Sequence, residues 1–341
     1  MRMVKDIKST VVTALLWCLM AVLVVFGALN VSALRQYPSV SLRYKTPISG
    51  QAAYNARLYA ARQSGDFVFW PTFWHETQAF FKNEYNSMTA VAILYSGDAA
   101  LVWPARYLSG SAPGVTDGAG CAVSSALSRA LWGGTDVVGK TVEADGDIRT
   151  VRGVFEGDEP LALLSVRDED TSRNFSAVEL TGGPSSPASS DAVSFAISAG
   201  LGSPDFILMG TATGLATVLA LLPFLLLALY PIVFVILRLR THPAVSRGIL
   251  FLALMGFAIA LPVLLGALPN RMIPTRWSDF SFWGAFAGQV GENLRQYLIL
   301  EPKLRDVSYK VLFFRQVGVA FLSVVCALAV CFRWHFKRYA Q

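Results

Sequence analysis

A short stretch in the middle of the chain has the residue types of a nucleotide-binding loop. Residues 134–141, GTDVVGKT, fit the pattern G-x-x-x-x-G-K-[ST] of phosphate-binding loops. In such loops a buried strand leads into glycines whose amides face the phosphate, and the helix that follows favours its negative charge. Here the order is reversed, because the sequence predicts a helix over 124–131 and a hairpin strand over 141–144. We therefore expect no nucleotide at Lys140 and no ATP hydrolysis by this chain.

Other residues that could support catalysis or bind a metal are isolated from one another. His75 and Glu76 begin like the zinc-binding motif H-E-x-x-H, but position 79 is Ala79. The distribution of charge along the chain places His242 and His335 on the opposite side of a membrane from His75. No G-x-S-x-G sequence occurs, and no predicted span carries a charge at its centre, as proton relays do. The sequence thus predicts neither an enzyme nor a bound cofactor or metal.

The composition indicates a membrane protein. Hydrophobic residues make up 54% of the chain and charged residues 15%, against about a quarter in soluble proteins. The mean hydropathy is +0.47. A helix needs roughly 20 apolar residues to cross the hydrocarbon core. Four stretches without charged residues are predicted to do so, the last of them extended outward by residues 311–314: Ser9–Leu34, Phe206–Leu237, Gly248–Asn270 and Gln316–Phe332.

The first of these stretches has two possible interpretations. It follows a basic start and contains Val31-Ser32-Ala33, which a signal peptidase could accept. Its apolar run is longer than the 7–15 residues usual for a signal peptide, which favours a retained helix. Either interpretation places the residues that follow on the outer side of the membrane.

The distribution of charge predicts the orientation. Segments 1–8, 238–247 and 333–341 together carry one acid, Asp6, and nine cations: Arg2, Lys5, Lys8, Arg238, Arg240, Arg247, Arg333, Lys337 and Arg338. The positive side of a membrane protein is cytoplasmic, so both termini are predicted to be cytoplasmic. This asymmetry explains the net charge of +6 without a nucleic-acid partner.

The predicted fold is a polytopic α-helical membrane protein of four transmembrane helices, with a mixed α+β extracytoplasmic domain between helices 1 and 2. Residues 1–34 form the cytoplasmic N-terminus and helix 1, and residues 35–205 form the outer domain. Residues 206–341 form helices 2–4, with an inner loop at 238–247 and an outer loop at 271–310. Within the outer domain, helices are predicted over 50–64, 76–87 and 123–131, strands over 89–95, 174–180 and 191–198, and a loop over 181–190. Asp145-Gly146 joins two alternating runs and predicts a hairpin.

Two clusters of aromatic residues lie outside the spans, FVFWPTFW at 67–74 and WSDFSFWGAF at 277–286. Either could pack in a core, or could lie in the outer interface and border a hydrophobic substrate path, because Trp and Phe favour that depth. The second cluster follows a predicted span closely and repeats every third residue, which would place rings on one helical face. Its candidates for an outer-interface or substrate-path site are Trp277, Phe280, Phe282, Trp283 and Phe286.

Residues 121–157, CAVSSALSRALWGGTDVVGKTVEADGDIRTVRGVFEG, resemble the periplasmic core domain of MacB/FtsX-type ABC transporter permeases. The tetrapeptides at 139–142 (GKTV) and 151–154 (VRGV) fall where that family's pattern expects them. The topology of one span, a large outer domain and three more spans is similar as well. The likeness of motifs covers about 37 residues, whereas the likeness of architecture covers the chain.

The resemblance implies a permease subunit in the bacterial cytoplasmic membrane, served by a separate cytoplasmic ABC ATPase. It implies a second permease subunit, identical or different, and spans that transmit ATP-driven motion to the outer domains rather than form a channel. Such proteins export or extract lipoproteins, peptides and antibiotics, or activate cell-wall hydrolases. The alternative is a non-transporting membrane scaffold or sensor with an extracytoplasmic binding domain.

The sequence departs from the family pattern in two places. After the second span the family has R-x-x-E-I-G-x-R-x-x-x-G, which docks on the ATPase, whereas this chain has RLRTHPAVSRG at 238–248. Docking is therefore weak, degenerate or shifted to the partner half of a heterodimer. The remaining candidates for ATPase docking are Arg238, Arg240, His242 and Arg247. The second departure is the long outer loop at 271–310, because the corresponding connection in the family is usually short.

Overall fold

A computed structural model gives the fold of the 341-residue chain. It describes residues 2–37, 40–63, 68–167, 169–183, 189–209, 211–238, 280–299 and 303–339, and a few positions between 248 and 258. The chain divides into two compact units. The first contains residues 1–35, 211–286 and 308–341, and the second contains residues 36–210 and 287–307.

Helices and strands are numbered in chain order. The strands are β1 (Val40–Ser49), β2 (Phe69–Lys82), β3 (Ser87–Ser96), β4 (Tyr107–Gly110), β5 (Gly120–Ser124), β6 (Thr141–Ala144), β7 (Asp147–Phe155), β8 (Leu161–Ser165), β9 (Asn174–Gly182) and β10 (Phe206–Met209). The helices are α1 (Arg2–Leu34), α2 (Gly50–Arg62), α3 (Ala99–Val102), α4 (Ser125–Trp132), α5 (Ser189–Ser198), α6 (Thr211–Arg238), α7 (Phe280–Ile299) and α8 (Leu304–Tyr339). The helices α7 and α8 each contribute residues to both units.

The second unit is a mixed α/β domain built on one ten-stranded sheet. The strand order is β10-β1-β9-β2-β3-β8-β5-β7-β4, and β6 pairs with both β2 and β7. The pairs β3–β8 and β5–β7 are parallel and the other pairs are antiparallel. The strands β5 and β8 are buried along their whole length, because side chains cover both faces of the sheet there.

Several predicted elements are confirmed, and each has local chemistry that explains it. Asp145 (φ 49°) and Gly146 (φ 90°) make the turn of the predicted hairpin between β6 and β7, since these residue types tolerate positive φ. The helix α4 begins after Ser124, whose hydroxyl oxygen accepts a hydrogen bond from the Leu127 amide at 3.1 Å, and it is capped by Gly133 with φ 77°. The helix predicted over 50–64 and the strands predicted over 89–95 and 174–180 correspond to α2, β3 and β9.

Two predicted elements of the outer domain have the wrong type. Residues 76–87, predicted as a helix, lie mainly in β2, and burial alternates there between Ala79 and Phe81 on one face and Phe80 and Lys82 on the other. That period of two is the strand signal that the prediction missed. Residues 191–198, predicted as a strand, lie in the helix α5. Its buried residues Ala192, Phe195 and Ala196 repeat at the helical spacing i, i+3, i+4, and the buried Ala199 follows directly after the helix.

The predicted second span begins too early in the sequence. Residues 206–209 form the strand β10, in which Phe206 pairs with Arg43 and Met209 with Val40 of β1. The helix α6 begins only at Thr211. The apolar composition of 206–209 therefore reflects an edge strand rather than the start of a transmembrane helix.

In the part of the chain that the structure describes, two helices are long and apolar enough to cross a membrane. They are Val11–Leu34 and Leu304–Arg333, and they flank the mixed α/β domain in sequence. Within α6, Thr213–Leu227 is a shorter apolar stretch. Most of the predicted third span, 248–270, lies outside the described residues. The predicted outer loop at 271–310 contains the whole of α7 and the start of α8, so it is not a simple loop.

Candidate functional site: a buried charge network

Two arginines and two carboxylates form a buried network in the second unit, at the first turn of α8. Arg43, on β1, is 3% exposed and donates to both oxygens of Asp306, at 2.9 Å from Nη2 and 3.4 Å from Nε. Asp306 lies in the first turn of α8 and is 2% exposed. A bidentate pair of this kind fixes both position and orientation. The strand that follows α1 is thereby tied to the start of α8.

Glu179, on β9, is the centre of the network and has no exposed surface. Its Oε1 atom accepts hydrogen bonds from Arg43 Nη1 at 3.1 Å and from the indole Nε1 of Trp74 at 2.8 Å. Arg305 Nη1 lies 2.9 Å from the same oxygen. The other oxygen, Oε2, accepts from the Ser41 hydroxyl at 2.5 Å. Three strands and the first turn of α8 therefore converge on one carboxylate.

Arg305 fastens the same turn of α8 to the short helix α3. It is 3% exposed, and besides its contact with Glu179 it donates to the carbonyl of Val102 at 2.8 Å and to that of Leu101 at 3.0 Å. The two arginines and two carboxylates balance in charge. A buried charge needs such a balance, because an unpaired one costs several kcal/mol.

The beginning of α8 is held through its backbone as well. The amide of Leu304 donates to Glu76 Oε2 at 2.8 Å, so a carboxylate from β2 caps the helix. Negative charge at a helix N-terminus is favourable because the first amides carry partial positive charge. Lys303 Nζ donates to the Ser176 hydroxyl, which lies 3.0 Å from His75 Nδ1.

Trp74 forms a flat surface beneath the cations of this network. Its ring has no exposed area and lies 4.9 Å from the Arg43 guanidinium, 5.4 Å from that of Arg305 and 5.2 Å from Lys303 Nζ. Cations over the face of an indole are attracted by its quadrupole. The aromatic residue therefore holds three cations near two carboxylates while its own N–H is satisfied by Glu179.

The environment shifts the pKa of three groups. Burial by itself would lower the pKa of Arg43, but the charges of Asp306 and Glu179 outweigh it, so that pKa stands above its ordinary value and the guanidinium stays charged. Burial and then the charge of Lys303 lower the pKa of His75 from 6.5. Burial raises the pKa of Glu76, although the hydrogen bond from the Leu304 amide and the charge of Lys303 both act to lower it. His75 is therefore neutral at pH 7.

This arrangement fits mechanical attachment better than catalysis. Ser176, which contacts both His75 and Lys303, is only 7% exposed, so a substrate has little access to its hydroxyl. No group of three metal-ligating side chains occurs among the described residues. What the network can do is hold the first turn of α8 rigidly against the sheet.

The loop that resembles a phosphate-binding motif has a different geometry in the structure. The amide of Gly139 donates to the Val151 carbonyl at 2.8 Å and that of Lys140 to the Val137 carbonyl at 3.0 Å. These amides are engaged in the β6–β7 region, with α4 before the glycines and a strand after Lys140, as predicted.

Other residues noted in the sequence have structural surroundings. In the first aromatic cluster Phe69, Phe73 and Trp74 are buried, which confirms a core role for them, whereas Trp70 is exposed. Cys121 is buried in β5, and burial raises its pKa to about 12.

The candidates for ATPase docking and for the substrate path are described only in part. Arg240, His242, Arg247 and Trp277 lie outside the described residues. Arg238 ends α6, and Phe280, Phe282, Trp283 and Phe286 lie in α7, but only the backbone of these five is described. They are not among the residues of the charge network.

Sequence reasoning did not identify the network, although a weak signal was present. Arg43 and Glu179 each stand in an otherwise largely apolar strand, VSLRY and FSAVELT, and Arg305-Asp306 comes shortly before an apolar helix. A charge in a buried strand predicts a partner. It does not predict which residue that partner is, because 136 positions separate Arg43 from Glu179 and 263 separate it from Asp306.

No protein-family model matches the chain, and comparison with curated proteins finds no significant match. Among solved structures, the chain is similar to the extracellular domain of the noncanonic ABC-type transporter YknZ from Gram-positive bacteria. The identity is 12%, with 46% of this chain and 87% of that chain covered, and the TM-score is 0.35.

The chain is also similar to the periplasmic region of MacB from Actinobacillus actinomycetemcomitans. Here the identity is 12%, with 50% of this chain and 87% of that chain covered, and the TM-score is 0.41. The first neighbour is the extracellular domain of an ABC-type transporter, and the second is a periplasmic region. A likeness at this level does not by itself establish an activity.

Proposed function

We propose that the chain is the permease subunit of an ABC transporter that transmits ATP-driven motion from a separate cytoplasmic ATPase to its extracytoplasmic domain. The substrate would be a hydrophobic, peptide or lipoprotein-like molecule. The observation that carries this proposal is the buried charge network, which fastens the first turn of α8 to β1, β2 and β9.

A helix transmits motion only if its end is firmly attached. The helix α8 has 36 residues, so it is about 54 Å long at 1.5 Å per residue. A loosely tethered end would absorb a displacement in the loop that holds it. Here Arg305, Asp306 and the Leu304 amide are bonded to different strands or carbonyls of one domain. A pull on α8 is therefore expected to move the domain instead of a loop.

The remaining parts of the proposal concern residues at or beyond the limits of the described chain. The ATPase would dock on the inner segment through Arg238, Arg240, His242 and Arg247. The aromatic residues Trp277, Phe280, Phe282, Trp283 and Phe286 would lie in the outer interface and border the substrate path. A second permease subunit and the bilayer complete the assembly, which would reside in a bacterial cytoplasmic membrane with both termini cytoplasmic.

The experiment begins with purification of the full chain in mild detergent and identification of the ATP-binding subunit that accompanies it. The complex is then placed in nanodiscs, and limited proteolysis of the outer domain is followed with and without ATP. The expected result is an ATP-dependent change in protection.

The network is tested with Arg43→Met/Asp306→Asn, which removes one ion pair and leaves Arg305 and Glu179 balanced in charge. We expect this variant to bind the ATPase and hydrolyse ATP but to lose the change in protection. The matched control is Arg295→Met/Glu292→Gln, a pair on α7 with an N–O distance of 3.9 Å and both side chains exposed.

Two outcomes would count against the proposal, and they have different meanings. If the wild-type chain binds no ATP-binding subunit and shows no response to ATP, the scaffold or sensor alternative is favoured. If the complex forms but the Arg43→Met/Asp306→Asn variant responds like the wild type, the chain is a permease in which the network is not the point of attachment.

A further inference from the structure

Two side-chain amides lie buried between helices of the first unit. Asn30, on α1, has no exposed surface, and Gln316, on α8, is 1% exposed. Asn30 Nδ2 donates to Gln316 Oε1 at 3.3 Å. Asn30 Oδ1 and Gln316 Nε2 have no hydrogen-bond partner among the residues that the structure describes. A buried amide donor without a partner is costly, so the surroundings of Gln316 Nε2 are informative.

Gln316 lies directly against the backbone of α1. A Cβ atom added to Gly27 would lie 3.4 Å from Gln316 Nε2 and 3.6 Å from Oε1. The hydrogen bond from Asn30 occupies the oxygen of the Gln316 amide and leaves its nitrogen as the free donor. That nitrogen belongs to a side chain that lines a small cavity between α1, α6 and α8.

The cavity has a volume of about 10 Å³ and is lined in part by Gly27, Leu219, Pro223, Gln316 and Ser323. A cavity needs a volume of roughly 10–15 Å³, and two to four polar partners, to hold one water molecule. Its size therefore suits a single water and excludes a larger ligand.

Two of the residues that line the cavity, Leu219 and Ser323, carry hydrogen-bond acceptors. Proline has no amide hydrogen, so Pro223 within α6 cannot bond to the carbonyl four residues earlier, that of Leu219. In an apolar surrounding the freed carbonyl needs another donor. The second acceptor is the Ser323 hydroxyl, which donates its own hydrogen to the Val319 carbonyl at 2.7 Å and keeps its oxygen available.

We infer that this cavity binds one water molecule, which accepts from Gln316 Nε2 and donates to the Leu219 carbonyl and to Ser323 Oγ. Three hydrogen bonds are typical of a buried water. The water would connect the proline position of α6 to α8, and Asn30 would orient Gln316 toward it. The site does not depend on the proposed transport function, because it rests only on the packing of these helices.

The test is a double-mutant cycle on the full chain in nanodiscs, read as apparent Tm. Gln316→Leu removes the donor and should lower the Tm by roughly 2–4 °C, the effect of about one hydrogen bond. Pro223→Ala restores an amide hydrogen that can bond to the Leu219 carbonyl. In that background, Gln316→Leu should lower the Tm by less than half of what it does in the wild-type chain. The Asn30–Gln316 bond is lost in both backgrounds and cancels. The control is Pro231→Ala, a second proline of α6, in which the cost of Gln316→Leu should be unchanged.

A second measurement detects the water directly. In a sample with ¹⁵N-labelled glutamine side chains, the Gln316 amide is identified by its absence from the Gln316→Leu spectrum. Its hydrogens should show a nuclear Overhauser contact with water although the residue is 1% exposed. The contact should weaken in Ser323→Ala, which serves as the second variant if Pro223→Ala does not fold. Additive effects in the cycle, or a Gln316 amide without water contact, would overturn the assignment.

Discussion

The substitution Asp306→Asn tests the buried charge network most directly. It keeps the size of the side chain and removes one negative charge. Two guanidinium groups, those of Arg43 and Arg305, then share the single carboxylate of Glu179, and the residues involved are at most 3% exposed. Breaking a buried pair by removing one partner costs about 3–5 kcal/mol. For a domain of 150–250 residues each kcal/mol corresponds to roughly 2–4 °C, so the Tm should fall by roughly 6–20 °C.

The compensating variant is Arg43→Met/Asp306→Asn. It removes the positive charge that Asp306→Asn leaves in excess and keeps Arg305 balanced by Glu179. Because the double variant restores the balance of buried charge, and an uncompensated buried charge is the costly part of breaking a pair, it should recover at least half of the lost Tm.

The assay is thermal unfolding of the full chain in one detergent–lipid mixture, at fixed protein concentration, followed by tryptophan fluorescence. The exposed pair Glu292–Arg295 provides the control, since Glu292→Gln there should change the Tm little. A change of less than about 2 °C for Asp306→Asn, or a double variant less stable than the single one, would refute the network as a stabilising attachment.

Three further predictions concern other parts of the chain. The lowered pKa of His75 means that the unfolded state binds a proton before the folded state does as the pH falls. The stability that neutral His75 contributes should therefore be present above pH 6.5 and be lost as the pH falls through the lowered pKa. In a series of Tm measurements, His75→Gln should remove this loss, whereas His335→Gln should not. Lys140→Ala should leave transport unchanged, and any nucleotide binding that depends on Lys140 would contradict its interpretation as an exposed loop residue. Alanine at Trp283 and Phe286 should impair function and preserve assembly with the ATPase. Quenching of Trp283 fluorescence by acrylamide and not by brominated lipid would exclude membrane contact.

Local chemistry explains what could be predicted about the fold from the sequence. The long apolar runs near residues 9–34 and 316–332 are confirmed as helices, since such a run needs no partner to be recognised. The hairpin at Asp145-Gly146 follows from the backbone conformations that these two residues accept. Residues 89–95 form a strand because a short apolar run rich in β-branched and aromatic residues suits a buried sheet position.

Tertiary contacts decided the type of the elements that were predicted wrongly. Residues 76–82 belong to β2 because β3 pairs with them along their whole length and β6 pairs with the last two, although their composition also suits a helix. Residues 206–209 are a strand because β1 lies beside them. An apolar segment of four residues carries too little pattern to show whether its neighbour is a strand or lipid.

The network itself is the clearest case of what the sequence alone leaves open. Arg43, Glu179 and Asp306 are visible as charges in apolar surroundings, and their burial could have been suspected from that. Which of them meet is set by the sheet order, which places β9 beside β1 and leaves both next to the start of α8. Electrostatic pairing acts over a few ångströms of space, whereas the sequence records only separation along the chain. The charge balance that holds α8 therefore exists only once the sheet has assembled around it.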